Sequence, residues 1–227
     1  MTERALPKKS LTNFTDKDLL KAPSYLLAPV QEYLKDAEIK KIQRAYTFAF
    51  IAHDGQKRKD GSAYISHPVA VAKIVAELKM DPDSICAALM HDVLEDCDVQ
   101  KTVLEKNFGK DVANIVDGVS KLGKIHMQNK AETNANNFQK MALAMANDVR
   151  VILVKLCDRL HNMRTIDFMP RHKQIIKSKE TLEMFAPLAL RVGMIDIKNE
   201  LELPDWKKGD EKLKLKLFNA LFTGVIF

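Results

Sequence analysis

The segment His91-Asp92-Val93-Leu94-Glu95-Asp96 puts one imidazole and three carboxylates into six consecutive residues. It closes an apolar stretch that begins at Asp81-Pro82 and carries Ile85, Ala88 and Leu89 inward. Asp92 lies seven residues after Ile85, so on a helix it continues the buried stripe. A carboxylate there is costly unless it is paired, hydrogen-bonded or bound to a metal. His91 and Glu95 are four apart, as are Asp92 and Asp96, so each pair shares a helix face. The blander reading is a helix end decorated with acids. It is weakened by helix polarity, because acids at a C-terminus oppose the macrodipole.

Asp158 sits seven residues after Val151 and four after Val154, inside the most apolar helical segment of the chain. Asn162 and Thr165 extend the same line. A polar strip through an apolar helix points to a site, against the alternative of an Asp paired with Arg159 or Arg164. His67 opens another helix after Tyr64-Ile65-Ser66. Taken together, His67, His91, Asp92 and Asp158 offer two imidazoles and two carboxylates. That mixed set suits a borderline divalent metal such as Mn²⁺, Fe²⁺, Co²⁺ or Zn²⁺.

The elements that must position these residues read as helices throughout. Residues 1–35 look like an irregular or weakly helical arm, punctuated by Asn13, Pro23, Ser24 and Pro29. A helix starts near Asp36 and stops near Gly55. Residues 56–63 form a basic loop with Lys57, Arg58 and Lys59, and Ser66 is expected to cap the next helix, with Pro68 in its first turn. Asn107-Phe108-Gly109 marks a turn before a short helix. Residues 123–137 read as mobile, passing into a helix near Phe138–Ala146. A helix over Asp148–Ile166 is apolar on several sides, hence central and buried. A last long helix spans Ile175–Leu203, with a kink at Pro187. No strand alternation or repeat is present. The expected fold is all-α: a compact multi-helix bundle around a central buried helix. The division is an arm (1–35), one domain (36–203) and a tail (204–227) that packs on the domain or extends it.

Composition sets the outer limits. Among 227 residues, 36 Lys and Arg against 30 Asp and Glu leave +6, which suits an anionic ligand without selecting one. Cys86, Cys97 and Cys157 are odd in number and cannot form a disulfide framework, so a reducing compartment is expected. The polar N-terminus lacks a signal-peptide pattern, and no apolar run approaches the ~18 residues of a membrane span. The expected location is therefore cytoplasmic.

The ordered set His67, His91-Asp92 and Asp158 resembles the HD superfamily of metal-dependent phosphohydrolases. The flanking segments are more specific. They are Ala52-His53-Asp54-Gly55-Gln56-Lys57-Arg58-Lys59, Tyr64-Ile65-Ser66-His67-Pro68, His91 to Asp96, and Val154 to Thr165. These look like the hydrolase domain of Rel/Spo homologues, as do Asn137 to Met141, Glu180 to Glu183 and Ala186 to Ala189. The resemblance runs from about Ile39 to Leu203.

That resemblance implies removal of the 3′-pyrophosphate from ppGpp or pppGpp, giving pyrophosphate and GDP or GTP. It implies His67, His91, Asp92 and Asp158 as ligands of one divalent ion, usually Mn²⁺. Glu95 and Asp96 would serve water activation and proton transfer. Arg58 would contact the nucleotide, supplemented by Lys59, and Asn162 and Thr165 would line the nucleoside pocket. His53, His161 and His172 are expected to be structural or supporting, and His126 falls in the mobile segment. Three residues depart from the family pattern: Leu190 where His is usual, Cys97 where Thr is common, and Asp60 where a small residue often stands. Long Rel/Spo enzymes continue into a synthetase, so this chain is expected to be a small alarmone hydrolase without that activity.

Other readings stay open at this point. The same site could act on a ppApp-type alarmone or on the 2′-phosphate of NADPH. A non-catalytic alarmone-binding module is another. Nucleic acid is not expected as a partner, because no reading helix or aromatic platform is recognisable. No membrane partner is expected. The sequence leaves a homo-oligomer open.

Overall fold

The computed structural model describes residues 11, 14–15, 19–123 and 147–202. The expectations for 124–146, including the helix near Phe138–Ala146, the 137–141 motif and His126, lie outside the described residues, as does the tail from Pro204. Among the described residues every regular element is helical, and the one extended pairing is an antiparallel bridge between Lys57 and Ala63. No described helix is long and apolar enough to cross a membrane. The chain divides into two compact units, Met1–Asp158 and Arg159–Phe227.

In the first unit, α1 (Ser24–Gln31) falls inside the stretch read as an arm. Leu26, Leu27 and Val30 recur at helical spacing, and their burial fixes the helix despite Pro29. α1 packs on α3 (Ser66–Glu77) and α2 (Asp36–Ala52). Two polar ties add to it: Leu20 N donates to Thr47 Oγ1 (3.0 Å), and Tyr33 Oη to Met80 O (3.0 Å). α2 starts with Asp36 and Glu38 in its first turn, where carboxylates complement the dipole. It ends at His53, and Gly55 supplies the positive φ (75°) of the turn that follows.

The expected Ser66 cap is corrected. Ile65 already has helical dihedrals and occupies the cap position, so Ser66 is the first helical residue and caps nothing. Pro68 does sit in the first turn. α4 (Pro82–Met90) begins as Asp81-Pro82 suggests: Asp81 Oδ1 accepts from the N–H groups of Asp83 and Ser84, both at 3.1 Å. Every residue from Ser84 to Met90 is buried, because α4 packs against α2, α3 and α7 (Lys110–Gly123).

The chain then leaves the helix at His91-Asp92 and makes one further turn, α5 (Val93–Asp96). The acids therefore belong to a separate turn and do not extend α4. α6 (Lys101–Phe108) follows, and Gly109 at φ 93° turns the chain into α7, a 14-residue helix where a short one was expected. α7 approaches the start of α8 (Val149–Arg164) closely. A Cβ on Gly118 would lie 2.7 Å from Val151 Cγ2.

The second unit takes over from Arg159. A 3₁₀ turn (Ile166–Phe168) leads to α9 (Arg171–Glu180), a π-helical stretch (Thr181–Phe185), α10 (Ala186–Arg191) and α11 (Ile195–Glu202). The single kinked helix expected over Ile175–Leu203 is corrected. Pro187 has no N–H to donate, and the backbone answers with the wider π turn before it. A second break falls at Gly193, at φ 78°. Arg159 Nη1 pairs with Glu180 Oε2 at 2.9 Å, and its guanidinium lies over the Phe185 ring at 4.0 Å.

Candidate metal centre and active site

Three elements of the first unit converge on one point. His67 comes from the first turn of α3, His91 and Asp92 from the break after α4, and Asp158 from α8. One donor atom each of His67, His91 and Asp158 lies within 4.8 Å of the others. His67 Nε2 is 3.1 Å from Asp158 Oδ1, and His91 Nε2 is 3.0 Å from Asp92 Oδ2. The cross distances are 3.8 Å from His67 Nε2 to Asp92 Oδ2 and 3.7 Å from His91 Nε2 to Asp158 Oδ1. The imidazoles meet edge to face at 5.1 Å.

His91 explains how the set is aimed. Its Nδ1 lies 2.8 Å from Ala88 O, one turn back on α4. A carbonyl only accepts, so Nδ1 carries the hydrogen and Nε2 faces the cluster, where it offers its lone pair to a cation once it is deprotonated. That Nε2 is buried and makes no hydrogen bond among the described residues, although two carboxylate oxygens are near. An orphaned buried nitrogen facing two carboxylates and a second imidazole fits a divalent cation.

The electrostatics agree. Burial opposes ionisation of Asp158, yet Lys155 and the two histidines hold its carboxyl well below the usual range. Burial also opposes ionisation of Asp92, and His91 overrides it, holding the carboxyl below its usual range. Burial lowers the His67 pKa against the pull of Asp158. Burial would lower His91 as well, but Asp92 and Asp158 push it up to about 10. Without a cation, the two carboxylates favour the protonated form of His91.

Asp96 reaches this cluster through a residue whose part the sequence did not reveal. Tyr64 Oη donates to Asp92 Oδ2 (2.7 Å) and lies 3.1 Å from Asp96 Oδ2. Glu95 is exposed on the same turn. The Tyr64 ring stacks on His53 at 4.6 Å, and Gln56 ties the layer together. Its Oε1 is 2.8 Å from His53 Nδ1, and its Nε2 donates to Asp96 O (2.9 Å). Cys97 Sγ is 3.2 Å from His53 Nδ1. His53 thus supports the site from behind.

Lys155 also joins the site, its Nζ 2.8 Å from Asp158 Oδ2. Its i, i+3 spacing to Asp158 is readable in the sequence. Tyr64 pairs across 28 and 32 residues, which no local pattern reveals.

Arg58 and Lys59 sit on the small hairpin closed by the Lys57–Ala63 bridge. Arg58 N donates to Ser62 O (2.9 Å), and Asp60 Oδ1 accepts from Ser62 N (2.9 Å) and Ser62 Oγ (2.6 Å). Asp60 therefore shapes the hairpin tip. The base of the hairpin carries Gln56 and Tyr64, whose backbones bond at 3.0 Å. Asn162 and Thr165 belong to the second unit, where Thr165 Oγ1 donates to His161 O at 3.1 Å. Leu190 is exposed on α10.

Comparison with known proteins gives consistent matches. A family model described as HD domain matches residues 45–195. The chain is 51% identical over 172 residues to a guanosine-3′,5′-bis(diphosphate) 3′-pyrophosphohydrolase of Vibrio cholerae, covering 76% of this chain and 24% of that protein. It is 50% identical over 173 residues to the bifunctional (p)ppGpp synthase/hydrolase SpoT of Escherichia coli, covering 76% and 25%. The chain thus spans about a quarter of the length of these curated relatives. A solved structure titled as a metazoan ortholog of SpoT that hydrolyses ppGpp aligns with a TM-score of 0.47 at 22% identity, covering 86% of this chain and 99% of its own.

Proposed function

The chain belongs to the HD domain family, and from that premise we propose that it is a metal-dependent 3′-pyrophosphohydrolase of the guanosine alarmones ppGpp and pppGpp. The observation that carries the reading is the convergence of His67, His91, Asp92 and Asp158 with Asp96 tethered alongside. About 50% identity to proteins named for this reaction supports the substrate.

In this reading His67, His91, Asp92 and Asp158 would hold a divalent ion, which we take to be Mn²⁺. Such an ion polarises a phosphoryl oxygen and makes water a stronger acid. Lys155 holds Asp158 Oδ2 and leaves Oδ1 to the cluster. Asp96 takes the proton of the attacking water, and Glu95 on the same turn serves proton transfer. Water attacks the phosphorus attached to the 3′ oxygen. The bond from that phosphorus to O3′ breaks, O3′ is protonated, and pyrophosphate leaves with GDP or GTP as the other product. Arg58, with Lys59, contacts the nucleotide, because a guanidinium can fork onto phosphate or stack on a base. Asn162 and Thr165 are read as nucleoside contacts, as their match to the family motif implies. The reading places the enzyme in a reducing compartment such as the cytoplasm, in keeping with three free cysteines.

The test is turnover by purified protein with Mn²⁺ on a panel of guanosine alarmones, ppApp and NADPH, with products identified. Pyrophosphate and GDP from ppGpp support the proposal. Guanosine alarmones left intact while another nucleotide is consumed would transfer the site to that substrate. Binding without turnover would make the domain a sensor.

A further inference from the structure

The geometry points to Tyr64 as a positioning residue that sets both the metal-ligand carboxylate of Asp92 and the proton acceptor Asp96. The inference rests on the hydrolase reading for the role of Asp96. Its physical basis is one hydroxyl between two carboxylates. Tyr64 Oη is 2.7 Å from Asp92 Oδ2 and 3.1 Å from Asp96 Oδ2. The Asp92 oxygen it touches is the one that also faces His91 Nε2 and His67 Nε2. A phenol has a single proton to give, and here it is shared in a three-centre bond, with Asp92 as the nearer acceptor and Asp96 as the farther one.

Everything around Tyr64 fixes that hydroxyl in place. The ring is stacked on His53 (4.6 Å) and meets His67 edge-on (6.1 Å). Its N–H donates to Gln56 O (3.0 Å), and its carbonyl accepts from His67 N (3.0 Å). Gln56 in turn clips the Asp96 carbonyl at 2.9 Å. α5 is a single turn carrying an exposed Glu95 and Asp96, so by itself it has little to hold a carboxylate in one direction. The 56–64 hairpin base supplies that constraint through Gln56 on the backbone and Tyr64 on the side chain. Burial and the two carboxylates both raise the phenol pKa, so it remains a donor.

The test is Tyr64→Phe, which keeps the ring and its stacking and removes only the hydroxyl. Circular dichroism and thermal melting check that the fold is retained. Binding of Mn²⁺ alone, followed by electron paramagnetic resonance of the free ion, should show a dissociation constant about tenfold higher or more. At saturating Mn²⁺, kcat on ppGpp should fall about tenfold or more while KM stays within about twofold. An unchanged Mn²⁺ dissociation constant overturns the link to Asp92, and with it the proposal. An unchanged kcat at saturating Mn²⁺ overturns the link to Asp96, again with the proposal. If the wild-type protein consumes no guanosine alarmone, the hydrolase reading has failed on its own, and the Mn²⁺ arm alone decides Tyr64.

Discussion

Lys155 Nζ lies 2.8 Å from Asp158 Oδ2, while the other oxygen of the same carboxylate lies 3.1 Å from His67 Nε2. One side chain thus divides Asp158 into a held oxygen and a presented one. Removing one partner of a buried pair leaves the other charge uncompensated, at a cost of about 3 kcal/mol or more. Lys155→Met is expected to destabilise the metal-free protein by about that much. The loss should be smaller when Mn²⁺ neutralises Asp158. Urea unfolding with chelator and with excess Mn²⁺ checks both parts. Equal losses in the two conditions would contradict the assignment.

His91 gives the pH dependence. Its folded pKa is pushed up to about 10, above the ordinary value of 6.5. A raised pKa stabilises the fold fully below about pH 6.5, and that contribution is lost as pH rises toward about 10. The metal-free protein should therefore melt at lower temperature at about pH 9 than at about pH 7. Mn²⁺ uptake must expel the same proton, so its apparent affinity should rise with pH, by up to about tenfold per unit in that window. Calorimetry in buffers of different ionisation enthalpy reads the released proton directly. Metal uptake without proton release would count against a protonated His91 in the metal-free protein.

Gly118 on α7 leaves no room for a side chain beside Val151 on α8. An added Cβ would meet Val151 Cγ2 at 2.7 Å, and overpacking of this kind costs about 1–3 kcal/mol. Gly118→Ala should destabilise by that amount in urea melts. Combined with Val151→Ala it should cost less than the sum of the two single changes. Strict additivity would mean that the two positions are not in contact.

Arg58 tests the substrate side. Arg58→Ala removes a charge-assisted contact and should raise KM for ppGpp about tenfold or more, with a smaller effect on kcat. Mn²⁺ affinity should not change, because Arg58 is not among the ligand candidates. Steady-state kinetics and Mn²⁺ titration separate the two effects.

Much of this organisation is legible in the residues themselves. Helix α4 announces itself through Asp81-Pro82 and the apolar run behind it, because capping and burial are both local signals. The His67, His91, Asp92 and Asp158 set is legible because carboxylates on apolar stripes need a reason. Elsewhere the backbone decides what a pattern cannot. Ile65 takes the cap position from Ser66 because the preceding turn already has helical dihedrals. Pro187 resolves into a π turn followed by a new helix, where the sequence suggests only a kink. His91 to Asp96 reads as one helix end, yet it is a break and a separate turn. Tyr64 is hidden for a topological reason: its partners lie on another element, and only folding brings a phenol between Asp92 and Asp96.

The central claim is that this cluster holds a divalent ion and that the ion is required to release pyrophosphate from the 3′ position. The direct measurement is pyrophosphate and GDP formation from ppGpp by wild-type protein and Asp92→Ala, with Mn²⁺ and with chelator. The account predicts both products in stoichiometric amounts from wild type with Mn²⁺, and a fall of about 100-fold or more with chelator or in Asp92→Ala, whose circular dichroism stays helical. Pyrophosphate release that survives either the chelator or the substitution would contradict it.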